Sequence, residues 1–271
     1  MTWFQIITGP LLAIEFPLKK QKWTFEGLFG RYENASLQRG LQVYQEVCSI
    51  CHGVKRLRFR ELKNLGFTET QIKEYASTFE ILDGPNEMGE LFIRPGEPSD
   101  TFISPYKNKE EATAAFGGAY PLDLSLITKA RKGGANYIYS LLMGYEEAPA
   151  GYELDDGVYY NKYMPGNKIK MAEPISDGIV EYADATETTK AQISRDVTTF
   201  LVWAADPHLE SRHKIGFKVF FYLIILLILV YLSKQKVWSR FGSKGEEEEE
   251  AFDKAERAVT EYEGEDPKTF K

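Results

Sequence analysis

The chain has 271 residues, 43% hydrophobic and 27% charged, an ordinary globular composition that excludes a mainly disordered or collagen-like chain. Thirty-three basic against forty acidic residues give a formal net charge of −7, so no nucleic acid is expected as a partner. Two cysteines exclude a disulfide-stapled mini-domain and any four-cysteine zinc or iron–sulfur site, and a mean hydropathy of −0.35 excludes a polytopic membrane protein but not a single span.

Trp3 to Phe16 is apolar, interrupted by Gly9, Pro10 and Glu15, and too short to span a membrane. It has the length of a signal-peptide core, with no basic residue ahead of it and no A-x-A site behind. Residues 1–22 therefore read as an atypical export signal or, alternatively, as an ordered N-terminal arm. Leu37, Leu41, Tyr44, Val47 and Cys51 recur at helical spacing, which predicts an amphipathic helix over Ser36–Cys51 with Ser36 as N-cap. Thr68-Glu-Thr-Gln71 is a capping-box pattern opening a helix through about Ser77. Gly84 to Pro105 and Gly151 to Pro174 are long Gly/Pro-rich loops, with strand expected only near Gly157 to Tyr160. Asp123–Lys132 and Ala135–Met143 read as two short helices separated by Gly133-Gly134. Asp184-Ala-Thr-Glu187 resembles a second capping box, with Asp184 as cap. It opens a helix whose Ile193, Val197, Phe200, Leu201 and Ala204 share one apolar face and which Pro207 ends.

Ile215 to Leu232 (IGFKVFFYLIILLILVYL) carries one charge, Lys218, and as a helix nearly crosses a hydrocarbon core of about 30 Å. Tyr222, Tyr231 and Trp238 are interface candidates. Arg212, Lys214 and Lys218 at one end balance Lys234, Lys236 and Arg240 at the other, so loop charge does not orient the span. Lys214 to Gly242 carries +5 with no acid, Ser243 to Lys271 carries −6, and Met1 to His213 carries −6. The chain divides into residues 1–22, a domain over 23–212, a membrane anchor over 213–238 and an acidic tail over 239–271. The tail reads either as a solubilising segment or as a partner-binding helix.

Both cysteines fall in one pentapeptide, Cys48-Ser-Ile-Cys51-His52. C-x-x-C-H is the attachment pattern of a c-type haem: two thiols reach the two vinyl groups of one porphyrin, and the next imidazole faces the iron. A thioredoxin-like pair would expect a βαβ setting, which the pattern lacks. A metal site would expect further ligands, and the other histidines, His208 and His213, stand beside the span. An electron carrier usually closes its iron with a second strong ligand, and methionine opposite histidine raises the potential. Met88, Met143, Met164 and Met171 are the candidates, with His208 and His213 as alternatives. Met143 lies in a helix-like run that suits a core role. Met164 and Met171 share a loop bracketed by Pro165, Gly166 and Pro174, and spacing alone does not choose between them.

Gly40-Leu-Gln-Val-Tyr-Gln-Glu-Val-Cys48, Tyr120-Pro-Leu-Asp-Leu-Ser125, Ala130-Arg-Lys-Gly-Gly134, Asn161 to Pro174 with its Met-Ala-Glu-Pro, and Phe200-Leu-Val-Trp-Ala-Ala-Asp-Pro207 occur in this order. In this arrangement, from about Trp23 to Trp238, the chain resembles cytochrome c1, the haem subunit of the quinol–cytochrome c reductase. The resemblance implies a mainly α fold: a c-type cytochrome fold with large loop insertions, plus one C-terminal transmembrane helix. It implies one covalent haem c on Cys48 and Cys51, with His52 and Met171 as axial ligands, and places Arg131 and Tyr137 near the propionates. An arginine fork suits a carboxylate there. Where the family commonly has Asn and a second Pro, this chain has Phe116 and Leu122.

By the same resemblance the chain, not catalytic alone, passes one electron from the Rieske iron–sulfur protein to a soluble c-type cytochrome. Cytochrome b and membrane lipid are the other expected partners. The haem domain would lie on the periplasmic or intermembrane side of a bacterial or mitochondrial inner membrane, with the tail inside. Glu146, Glu147, Glu153, Asp155 and Asp156 occur with no basic residue between Gly144 and Asn161, a cluster able to steer a basic carrier. The alternatives are an anchored cytochrome serving an oxidase, and a haem enzyme or sensor with an open iron position.

Overall fold

A computed structural model of the chain describes residues 16–263; for residues 240–247, 259 and 261–263 it describes the backbone alone. Residues up to Glu210 form one compact unit and those from Ser211 onward a second.

In the first unit, helix α1 (Asn34–Glu46) buries Leu37, Leu41, Val43 and Tyr44 along one stripe. It crosses a later helix at Gly40, where an added Cβ would stand 2.2 Å from the carbonyl oxygen of Asp196 and 2.7 Å from the Cβ of Phe200. Only glycine permits that approach. The helix differs from expectation at both ends. Glu33 precedes it without a capping side chain. Ser36 sits buried inside the helix, because its hydroxyl donates at 2.6 Å to the Asp196 carboxylate, a stronger acceptor than a backbone cap provides. At the other end the α-helix stops at Glu46 and a 3₁₀ turn, Cys48–Ile50, follows. The Ser49 hydroxyl takes the Gln45 carbonyl at 2.7 Å, the acceptor that the next helical N–H would use.

A 3₁₀ helix, Phe59–Leu65, leads to α2 (Glu69–Ser77), which begins at Thr68 with both halves of the expected capping box formed. Strands β1 (Glu80–Asp83) and β2 (Phe92–Pro95) pair antiparallel, the second of them within the Gly84–Pro105 segment expected to be loop. Leu82, Phe92 and Ile93 on this hairpin are exposed, so no alternation of burial marked it. Helix α3 (Lys109–Ala115) follows, capped by Asn108, and ends at Phe116, whose ring meets Tyr106 edge-on at 5.7 Å.

Helix α4 (Ile127–Ala130) is shorter than the expected Asp123–Lys132, since Asp123 and Ser125 are drawn into bonds with the segment after the C-x-x-C-H motif. Gly133, at φ +93°, turns the chain into α5 (Gly134–Leu142). Strands β3 (Tyr159–Tyr160) and β4 (Lys168–Ile169) form a small antiparallel hairpin, so the strand expected from Gly157 has a partner as well. Helix α6 (Lys190–Ala205) buries Ile193, Val197, Phe200, Leu201 and Ala204 as its spacing predicts. Its cap is Thr189 and not Asp184, because Asp184 is held by Arg39 at 2.7 Å and by the backbone N–H of Thr186.

The core lies where α1 and α6 cross and extends into an aromatic group in which Phe59 stacks 4.6 Å from Phe102 and 5.0 Å from Phe79. At the crossing, Asp196 is fully buried. Its carboxylate accepts from Ser36, from two nitrogens of Arg39 at 2.9 and 3.1 Å, and from Gln192 at 3.0 Å. A buried carboxylate paired by a two-pronged guanidinium is satisfied, not stranded.

Of the N-terminal stretch Trp3–Phe16, all but Phe16 lies outside the described residues. Residues 16–22 run beside α5: the Lys19 N–H donates to the Ser140 hydroxyl, and the Gln21 N–H and Trp23 indole to the Asn136 amide oxygen.

The long helix α7 (Leu209–Glu263) holds a stretch, Leu209–Ser239, long and apolar enough to cross a membrane. Side chains from Phe217 and Val219 through Leu232 are exposed on every face, so this is not the core helix of a soluble unit. The 31 residues reach about 46 Å, longer than a hydrocarbon core of about 30 Å. The helical backbone continues to Glu263, through the described part of the acidic tail.

Candidate haem site

The tight turn after α1 places Cys48, Cys51 and His52 together: the His52 and Cys51 N–H groups both bond the Cys48 carbonyl, at 2.8 and 3.2 Å. From the other side comes the segment Leu122–Ser125. The His52 imidazole is bonded through Nδ1 to the Leu122 carbonyl at 2.7 Å. A carbonyl only accepts, so Nδ1 carries the hydrogen and Nε2 keeps its lone pair. The two segments are fastened along their length. The Lys55 N–H donates to Asp123 Oδ2 at 2.9 Å, the Leu124 N–H to the Gly53 carbonyl at 2.8 Å, and the Arg56 N–H to the Ser125 hydroxyl at 3.1 Å. The other Asp123 oxygen accepts from the Ser125 N–H at 3.0 Å, an Asx turn. Tyr44 ties the motif back to the core by donating to the His52 carbonyl at 3.1 Å.

Burial lowers the His52 pKa below its ordinary value, against the opposing pull of the Leu122 carbonyl and Asp123, so the imidazole is held in the neutral form that binds metal. Burial acts oppositely on the thiols: Cys48 is pushed up to about 12, and Cys51 is raised too. A thioredoxin-type pair needs a depressed thiol pKa. Burial moves this pair the opposite way. Among the described residues no group of three or more His, Cys, Asp and Glu could hold a metal ion.

A covalently tethered haem fits these residues. Both thiols stand in one turn beside an imidazole whose second nitrogen makes no hydrogen bond among the described residues. Ile50, Tyr120, Leu122 and Leu126, on the segments that carry and face the motif, expose apolar surface that a flat apolar ligand would cover. Leu122 in place of the family's proline leaves the histidine bond intact, since its acceptor is a main-chain carbonyl.

The other expected residues fall in two places. Arg131 is exposed and extended at the end of α4. Tyr137 on α5 is half-buried; burial raises its pKa, and the nearby Arg131 charge pulls the other way, so the two are neighbours. The Tyr137 hydroxyl lies 3.8 Å from the sulfur of Met164, donating to it. Met164 sits in a turn with both backbone groups used, its N–H on Asn161 and its carbonyl on Asn167. Met171 follows β4 and is half-buried. Its carbonyl accepts from the Tyr145 hydroxyl at 3.1 Å, and among the described residues its sulfur accepts no hydrogen bond. The loop is seated on α5 through Gly144, where a Cβ would stand 2.6 Å from the Tyr163 ring and 2.7 Å from the Asn161 side chain.

Sequence reasoning missed the partner of His52, because a main-chain acceptor has no residue signature. It missed the Asp123–Ser125 fastening too, although Asp-x-Ser is an Asx-turn signal. The acidic stretch also changes in the fold. Lys162 approaches Glu146, and Lys168 approaches Asp155, each at 3.7 Å, so two of its five charges are partly offset.

Residues 23–241 match the model of the cytochrome C1 family. The chain is 47% identical over 240 residues to "Cytochrome b/c1" of Bradyrhizobium diazoefficiens, covering 80% of this chain but only 35% of that protein. It is 45% identical over 222 residues to "Cytochrome c1 2, heme protein, mitochondrial" of Arabidopsis thaliana, with 82% and 72% covered. To "Cytochrome c1" of Rhodospirillum rubrum it is 44% identical over 237 residues, with 82% and 87% covered.

Proposed function

We propose, since the chain belongs to the cytochrome c1 family, that it is the haem-bearing electron-relay subunit of a membrane quinol–cytochrome c reductase. When bound, a haem would supply a one-electron centre between a Rieske iron–sulfur protein and a soluble c-type cytochrome. The chain's own residues hold and tune it. Cys48 and Cys51 would tether it, and His52, aimed by the Leu122 carbonyl, would hold its iron through Nε2. Met171 would be the second protein ligand; in support, its sulfur accepts no hydrogen bond among the described residues, whereas that of Met164 already takes the Tyr137 hydroxyl. Arg131, beside Tyr137, supplies a positive charge for the propionates. The single observation that carries the reading is the carbonyl-oriented His52 in the same turn as both thiols.

Leu209–Ser239 anchors the subunit in a bacterial or mitochondrial inner membrane, with the haem domain on the periplasmic or intermembrane side. Cytochrome b and the Rieske protein are its companions in the complex. Gentle solubilisation of the native membrane and affinity capture of this chain tests the assignment. Recovery of a cytochrome b and an iron–sulfur protein is expected. Recovery of oxidase subunits instead would contradict it.

A further inference from the structure

Immediately after the motif the chain runs Lys55-Arg56-Leu57-Arg58-Phe59-Arg60. Leu57 and Phe59 are buried to 1% and 0%, and the four cations between and beside them are exposed. Alternation of this kind turns one apolar edge into the core and lines the cations along the surface. Nearby acids are committed elsewhere. Asp100 is held by Arg94 at 2.7 and 3.0 Å, Asp123 takes main-chain N–H groups, and Glu61 lies 3.7 Å from Arg60. Among the described residues the side-chain nitrogens of Lys55, Arg56 and Arg58 have no carboxylate within 4 Å; Asp123 meets Lys55 only through the main-chain N–H. Local stability does not account for them, since Arg58 and Arg60 stand at the start of a 3₁₀ helix, where the backbone's own partial charge is positive. The strip borders the site: Lys55 lines an open recess with Cys51, and the Lys55 and Arg56 N–H groups belong to the fastening that aims His52.

We infer that Lys55, Arg56 and Arg58 form a docking strip for an electron-transfer protein that presents an acidic surface. The identity of the partner as a redox protein rests on the function proposed above; the strip itself does not. A protein exchanging electrons with this subunit must bring its own centre close to the motif, and there it meets the strip. The acidic loop of Glu147, Glu153 and Asp156 has the opposite sign, so a relay with two partners can tell them apart by charge and keep them from competing for one surface.

The test uses the full chain in phosphatidylcholine nanodiscs and two soluble c-type cytochromes as probes, one of net negative and one of net positive charge. Binding is followed by surface plasmon resonance as salt is raised from about 10 to about 150 mM, across the range where the Debye length shrinks below about 10 Å. The acidic probe is expected to bind at low salt and to release as salt rises. Replacing the three cations together (Lys55→Gln, Arg56→Gln, Arg58→Gln) should weaken it about tenfold at low salt and flatten the salt dependence. The reversal Arg56→Glu with Arg58→Glu should weaken it further, while the basic probe binds unchanged or tighter. The side chains are exposed and the main-chain bonds survive substitution, so folding should persist; an unchanged thermal midpoint checks this. Absent binding of the acidic probe, or binding indifferent to the substitutions, overturns the strip. Strip-dependent capture of vesicles rich in phosphatidylserine without capture of the acidic protein overturns it too, in favour of a membrane surface. If the pigment is not covalently bound but the acidic probe still depends on the strip, the relay reading falls and the docking surface stands.

Discussion

Two regions of the haem domain are built in opposite ways. The crossing of α1 and α6 is tight, with Gly40 pressed against Asp196 and Phe200 and a buried carboxylate fully paired. The motif region is half-exposed and rests on hydrogen bonds between two irregular segments, among them His52 to Leu122 and Lys55 to Asp123. The first can only be right or wrong, because a close-packed interior does not yield by degrees. The second can be adjusted one bond at a time, which suits a site where orientation and basicity of a ligand are to be set. The contrast teaches that stability and redox tuning should separate by mutation.

The largest effect is expected at the crossing. Asp196→Ala leaves Arg39 without its buried partner and should cost about 3–5 kcal/mol of unfolding free energy. Denaturant titration of the full chain in detergent checks this, and the haem potential of whatever folds should be unchanged. Next comes the proposed sulfur ligand. Met171→Leu should lower the potential by roughly 0.1 V or more, equivalent to about 2.3 kcal/mol per electron, and let carbon monoxide bind. Met164→Leu should do neither. If the two variants exchange behaviour in potentiometry and carbon monoxide difference spectra, the ligand is Met164. Gly40→Ala tests the crossing by overpacking, at about 3 kcal/mol or more because the added methyl meets main chain, with an unaltered spectrum.

Asp123→Ala should be smaller still, about 0.5–1.5 kcal/mol for each of the two N–H bonds it breaks. Unlike the crossing variants it should also move the potential, because it loosens the segment that orients His52. A change in stability with an unmoved potential would erase the contrast drawn here. The smallest effect is one of pH. Arg94 holds Asp83 and Asp100, and Arg39 holds Asp184, below the ordinary carboxylate range. A folded-state pKa below the unfolded one means stabilisation present in full above about 3.9 and lost as pH falls through the depressed values. Unfolding midpoints should therefore hold steady from pH 6 to 5 and decline toward pH 3, less steeply in Arg94→Gln.

Wherever one side chain or one short pattern decides the outcome, the sequence was legible. The capping box at Thr68, the apolar face of α6 and the long apolar helix all stand where their patterns place them. What escaped was decided between distant segments. Ser36 and Asp184 both look like caps, and both are claimed by groups on other elements, Asp196 and Arg39, which no local window contains. The β1–β2 hairpin stayed hidden because its apolar side chains face outward. The acceptor that fixes His52 is a peptide carbonyl seventy residues away and would read the same with any side chain at 122. Spacing left Met164 and Met171 level; the hydroxyl of Tyr137 on one sulfur and not the other is a fact of the fold.

The most direct test of the account is to precipitate the purified chain in acidified acetone and weigh the pellet by intact mass spectrometry. The prediction is a pellet that stays coloured, a colourless supernatant, and a polypeptide heavier by one haem, with that mass lost only in Cys48→Ala with Cys51→Ala. Pigment released into the acetone from a chain of unmodified mass would contradict it.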